Sequence, residues 1–189
     1  FPFFFFFYED YTQELVNRDV FVQIVRLVES YVFRRLICGV PTNSMNKTFA
    51  TLGREIDRDN YLESLKLAFV RKDNYRRFPD DQEFYREFVV KDVYRLRNRL
   101  YLFRKLENHK RPKELVDPEN YTIEHILPQN PKLSEEWQVE LGQNWKEIQA
   151  KYLHTIGNLT LTEYNPEYSD HPFAVKRDME GGFAVSPLF

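Results

Sequence analysis

Cys38 is the only cysteine in this 189-residue chain. That excludes a disulfide framework within the chain and a zinc site built from cysteines. It fits a reducing compartment, and the expectation is a cytoplasmic protein. Glycines number six, and none builds a Gly-x-x-x-x-Gly-Lys phosphate loop, so nucleotide hydrolysis is not expected here. Excess positive charge is missing too: the formal net charge is -2, and any nucleic-acid contact must come from a local patch. Long apolar runs are absent. The longest aromatic stretch, Phe1 to Tyr8, is too short to span a bilayer and has neither the basic start nor the small-residue cleavage site of a signal peptide. No membrane partner is expected. With no initiating Met, the chain reads as a piece of a longer protein. The Phe run then reads as a segment buried against sequence beyond it, or as a partner-docking patch.

What the chain does have is aromatic bulk, 17 Phe and 12 Tyr, enough for one large core or two small ones. The first half has helical periodicity. Phe21, Ile24, Leu27 or Val28, Tyr31 and Leu36 form one stripe between Thr12 and Cys38, with Gly39 and Pro41 as stop signals. Asn43 or Ser44 can cap a helix carrying Met45, Phe49, Leu52 and Ile56. A third helix spans about Asn60 to Val70. Asp80 and Glu83 stand three apart, close to a capping box, before Phe84 and Phe88. A further helix is expected from Val93 to His109. Its apolar face is Val93, Leu96, Leu100, Phe103 and Leu106, and its basic face is Arg95, Arg97, Arg99, Arg104 and Lys105. That face is either solvated surface or a contact for DNA phosphates. The stretch Arg111-Pro112-Lys113 ends it, which places the module boundary at 113/114.

The second half changes character. Tyr121 to Ile126 is strand-like and runs into Leu127-Pro128, where Pro128 and Pro131 keep the next loop irregular. A helical insertion follows from Ser134, with Trp137 and Leu141 before Gly142, and Trp145, Ile148 and Tyr152 after it. Asn158 to Thr162 is a second strand-like run, Tyr164-Asn165-Pro166 a turn. Ser169 or Asp170 can cap a last helix with Phe173, Val175 or Lys176, and Met179, closed by Gly181-Gly182.

Glu124 directly precedes His125, so along an extended strand their side chains leave opposite faces. They can share a site only where the strand ends or bends. Three elements then stand in order: Glu124-His125-Ile126-Leu127-Pro128-Gln129, Gly157-Asn158-Leu159-Thr160-Leu161, and Asn165 with Ser169, Phe173 and Lys176. Together they resemble the HNH (His-Me finger, ββα-metal) nuclease superfamily. More closely, they resemble the HNH-like domain at the C-terminus of GmrSD-type modification-dependent restriction enzymes. The Tyr31 to Ser44 run resembles that family as well, so the likeness covers nearly the whole chain.

The resemblance implies a mainly α protein with a small α+β element. A helical module, 1–113, would precede a ββα-metal nuclease core with a helical insertion, 114–189. It implies a metal-dependent DNA endonuclease of a phage-defence restriction system. His125 matches the general base, for which an imidazole suits because it titrates near neutrality. Asn158 matches the residue orienting that base. Asn165 matches a ligand of Mg²⁺ (or Mn²⁺), a hard ion that prefers oxygen. Glu124 matches the acidic metal-ligand position, and Lys176 would neutralise the scissile phosphate. The family also implies a separate N-terminal nucleotide-hydrolysing domain as partner. Two departures stand out: no paired Cys-x-x-Cys elements, and the long 126–157 segment between His125 and Asn158.

The remaining histidines carry weaker signals. His109 reads as a solvated residue at a helix end. His154 lines the site or makes a structural hydrogen bond. His171 is a possible DNA contact, with Arg95, Arg99 and Arg104. A zinc triad of His125, His154 and His171 matches no common spacing. The rival reading is a catalytically inactive module of the same fold that binds DNA or a protein. RNA instead of DNA is also left open.

Overall fold

The computed structural model describes residues 2–110, 113 and 115–186. Phe1, the expected helix stop at Arg111-Pro112, and the expected module start at Glu114 lie outside the described residues. The chain forms two compact units, 1–88 and 89–189. This division falls earlier than the 113/114 boundary read from the sequence. The segment between belongs to the second unit through its bonds: Val93 and Tyr94 N–H donate to the His154 carbonyl, and Arg104 pairs with Asp117 and Glu119.

Among the described residues, the first unit contains five α-helices. The Phe run is itself a helix, α1 (Pro2–Thr12). Residues four apart share a helix face, so Phe3 and Phe7 turn inward while Phe5, Phe6 and Tyr8 face out. The inward pair packs on Phe49, Phe21 and Tyr61 of this same chain, so the run is core on one side only. Helix α2 (Arg18–Ile37) starts later than expected because the Asn17 side chain caps it, accepting from Val20 N–H at 3.0 Å. Helices α3 (Met45–Leu52), α4 (Tyr61–Val70) and α5 (Asp81–Phe88) form where expected, but α3 ends before Ile56, which the sequence placed on its stripe. Asp80 does cap α5, accepting from Glu83 N–H at 2.8 Å. Ser44 does not cap α3. Its hydroxyl accepts from Arg35 and donates to the Tyr75 carbonyl instead, both at 3.0 Å.

The second unit is built on a two-stranded antiparallel sheet. Strand β1 (Thr122–His125) pairs with β2 (Leu159–Thr162), Thr122 opposite Thr162 and His125 opposite Leu159. Helix α6 (Arg99–Glu107) precedes the sheet; α7 (Glu135–Leu141) and α8 (Trp145–Tyr152) form the expected insertion. Ser134 caps α7, and Gly142, at φ +78°, makes the break between the two. After β2 come α9 (Asn165–Tyr168), one turn of helix where a plain turn was expected, and α10 (Phe173–Asp178). Neither Ser169 nor Asp170 caps α10. Asp170 instead accepts from Asn130 at 2.8 Å. Leu127, Leu133 and Trp137, with Leu141, Trp145 and Phe173 around them, form a small apolar cluster that joins the 126–157 segment to α10.

Helix α6 begins six residues later than its periodicity suggests. Both Val93 and Tyr94 N–H bond to the His154 carbonyl, and Asp92 takes Arg95 N–H at 3.1 Å. Those donors are spent outside a helix. The expected single basic face therefore does not form: Arg95 and Arg97 sit on a loop, Arg99 and Arg104 on α6.

Candidate active site

Strand alternation sends Glu124 and His125 to opposite faces of the two-stranded sheet, and both are buried there. On the Glu124 face stands Lys176 of α10, itself fully buried. Its Nζ donates to Glu124 Oε1 at 2.6 Å, to the His125 carbonyl at 3.0 Å and to the Ile126 carbonyl at 3.2 Å. An ammonium has three hydrogens, and all three are used. Lys176 therefore does not face a substrate phosphate, as the sequence suggested; it is a strut that holds the end of β1. Glu124 is correspondingly committed to Lys176 and is not free as a metal ligand. Burial pushes the Glu124 carboxyl above its usual range, against the opposing pull of Lys176.

On the other face, His125 Nε2 lies 3.1 Å from Nδ1 of His154, and His154 Nε2 lies 3.2 Å from an Arg95 guanidinium nitrogen. Tyr94 meets the His125 ring edge-on at 4.5 Å and stacks on His154 at 5.2 Å. His125 titrates far below the usual imidazole range, down to about 4. Burial is the chief cause, with His154 and Lys176 adding to it. At neutral pH it is the uncharged imidazole.

Asn158 immediately precedes β2, and among the described residues its hydrogen bonds go to backbone, not to the His125 ring. Its side chain accepts from Leu127 N–H at 2.7 Å and donates to the carbonyls of Leu127 (3.1 Å) and Leu153 (2.9 Å). Its own carbonyl takes Ile126 N–H at 3.0 Å. One amide thus fixes the backbone just after His125 and just before His154, which sets the spacing of the two imidazoles.

The other expected site residues scatter. Asn165 starts α9, half-buried, with no side-chain partner among the described residues, and α9 packs on β1. His171 is exposed, and its carbonyl accepts from Trp137 Nε1. Arg104 is neutralised by Asp117 and Glu119 at 3.0 and 3.2 Å, while Arg99 lies over the Tyr94 ring at 5.7 Å. Among the described residues, no three His, Cys, Asp or Glu side chains gather as a cation site. That includes the zinc triad considered from the sequence. His154 and Tyr94 are the residues that sequence reasoning underrated. The available signal was His154 four positions before Asn158, within reach of the same turn.

A buried histidine at the end of one short strand is thus braced, through the backbone that follows it, by an asparagine just before the next strand. The family profile described as "GmrSD restriction endonucleases, C-terminal domain" matches residues 78–187. The chain belongs to that family. Its domain is thus a part of restriction endonucleases, enzymes for which DNA is the substrate class. No curated protein and no solved structure matches the chain. No helix among the described residues is long and apolar enough to cross a membrane.

Proposed function

We propose that the second unit is a metal-dependent DNA endonuclease of the HNH type, serving a phage-defence restriction system. The observation that supports this best is the neutral His125 at the end of β1, in a chain of a restriction endonuclease family. His125 takes a proton from water. The water oxygen attacks phosphorus, the bond to the leaving oxygen breaks, and solvent returns a proton to that oxygen. A site this acidic is a weak base at rest. An approaching phosphate strengthens it, because negative charge favours the imidazolium. Asn158 positions the base by fixing the backbone just after it and just before His154.

The residues fit an ion that arrives with substrate better than a preformed cage. With Glu124 taken by Lys176, the Asn165 amide oxygen is the donor left, and Mg²⁺ commonly completes its shell with phosphate oxygens and water. When bound, Mg²⁺ or Mn²⁺ would offset charge on the leaving oxygen. The partner proposed for this unit is a nucleotide-hydrolysing domain N-terminal to it.

The burial of His125 favours a second reading, an HNH-fold module that binds DNA or protein without turnover. Plasmid cleavage by the full chain with Mg²⁺ or Mn²⁺, against folded His125→Ala, separates the two. Cleavage lost in the variant is expected. Equal cleavage by both would sink the His125 assignment. DNA retention by both without cleavage, on plain and base-modified DNA alike, would establish the binding module, and cleavage of RNA alone would change the substrate.

A further inference from the structure

The geometry points to a latch on the base: Arg95, through His154, holds His125 in the tautomer whose one lone pair is occupied by the His154 N–H and is not offered to water, and a DNA phosphate that draws Arg95 away releases it. This rests on His125 being the general base.

Hydrogen-bond roles decide the tautomers. A guanidinium has donors and no acceptor, so His154 Nε2, 3.2 Å from Arg95, must present its lone pair. A neutral His154 then carries its hydrogen on Nδ1. That hydrogen points at His125 Nε2, 3.1 Å away, which must in turn accept. His125 is left with its hydrogen on Nδ1. Both of its nitrogens are occupied, one by a proton and one by the His154 N–H. His125 is only 3% exposed, with Tyr94 and His154 against its ring. The His154 backbone is clamped by Val93 and Tyr94 N–H at 2.9 and 3.3 Å, which keeps Arg95 beside its ring.

Arg95 is suited to let go. Its side chain is 73% exposed, and its partner Asp92 is a loose pair at 3.4 Å. Exposed pairs of this kind hold weakly, whereas a phosphate offers a guanidinium two charge-assisted bonds. Once Arg95 moves to phosphate, His154 Nε2 takes a proton from solvent. His154 passes its Nδ1 proton to His125 Nε2, and His125 releases its Nδ1 proton to solvent. One proton enters and one leaves. His125 Nδ1 now carries a free lone pair for the attacking water, while His154 Nδ1 accepts from His125 Nε2. Base activation is thereby tied to occupancy by a phosphodiester.

The test is ¹⁵N-imidazole NMR of the full chain in EDTA, which prevents turnover, with signals assigned through His125→Gln and His154→Gln. The free protein should show Nδ1–H at both His125 and His154. A short DNA duplex should convert both to Nε2–H. Arg95→Met should show the converted state without DNA, and Arg95→Lys, which still donates, should keep the resting one. Nε2–H at His125 in the free protein would overturn the latch, as would tautomers indifferent to Arg95→Met. If the tautomers behave as expected while His125→Ala still cleaves, the Arg95-dependent tautomer switch stands, but the assignment of His125 as the base it controls falls.

Discussion

Lys176 places its Nζ 2.6 Å from Glu124 Oε1, with the lysine fully buried and the glutamate nearly so. Taking two ions out of water costs much of what their attraction returns, so the pair matters more for what its loss would expose than for its net stabilisation. Lys176→Met would leave a buried carboxylate alone. It should destabilise the second unit by about 3–5 kcal/mol in urea unfolding. The double variant Glu124→Leu/Lys176→Met should recover most of that. A double variant as unstable as the single one would show that the two bonds from Lys176 to backbone carbonyls carry the effect.

Asn158 offers a sharper test, because Asp is nearly the same shape. Asn158→Asp can still accept from Leu127 N–H. It cannot donate to the Leu127 and Leu153 carbonyls, and it sets a negative charge against both. Leaving buried carbonyls unpaired costs about 1–3 kcal/mol each. The expected result is a loss of at least ~2 kcal/mol in stability, together with a weaker His125–His154 contact in NMR. Wild-type stability in the variant would mean that Asn158 does not brace the loop.

The pH dependence of stability follows from His125. Unfolded, an imidazole titrates near 6.5; here it titrates at about 4. The unfolded chain therefore binds the proton more readily. The contribution is complete above pH 6.5, falls as the pH drops from 6.5 towards 4, and changes no further below that. It amounts to about 3 kcal/mol. Trp137 and Trp145 are the only tryptophans and both lie in the second unit, so their fluorescence reports its unfolding. His125→Gln should flatten the slope between pH 6.5 and 4. An unchanged slope would assign the titration to another group.

In the first unit, Arg35 is 1% exposed and its guanidinium donates to the carbonyls of Tyr75 (2.9 Å) and Pro41 (2.7 Å) and to Ser44 Oγ (3.0 Å). It stitches the turn after α2 to the 73–77 loop. Lysine keeps the charge but not the fork, so it cannot reach all three acceptors. Arg35→Lys should cost about 2–4 kcal/mol in thermal or urea unfolding of the first unit. A loss below ~0.5 kcal/mol would show that the network re-forms around lysine.

Much of this was legible in the chain. The stripes of α2 to α4, the insertion helices on either side of Gly142, and the two strands follow from periodicity, caps and breakers, which act within a few residues. His125 was marked by its neighbours Glu124, Leu127 and Pro128, and Asn158 by the Gly157-Asn158-Leu159 element. The length of α6 was not legible, because the donors of Val93 and Tyr94 are claimed by the His154 carbonyl, 61 and 60 residues along the chain.

The amino-acid order alone settled which side chains were available: one histidine before a proline bend, an asparagine just before the next strand, a lone lysine on the last helix. It also settled that Glu124 and His125 part to opposite faces, since a strand alternates. Only the tertiary structure decided their partners. Lys176 turned inward to Glu124 because a buried carboxylate needs a counter-charge, and the ammonium had two carbonyls besides to satisfy it. His154 came to His125 because the Asn158 amide ties Leu127 to Leu153, a constraint between residues 26 apart that no local pattern encodes.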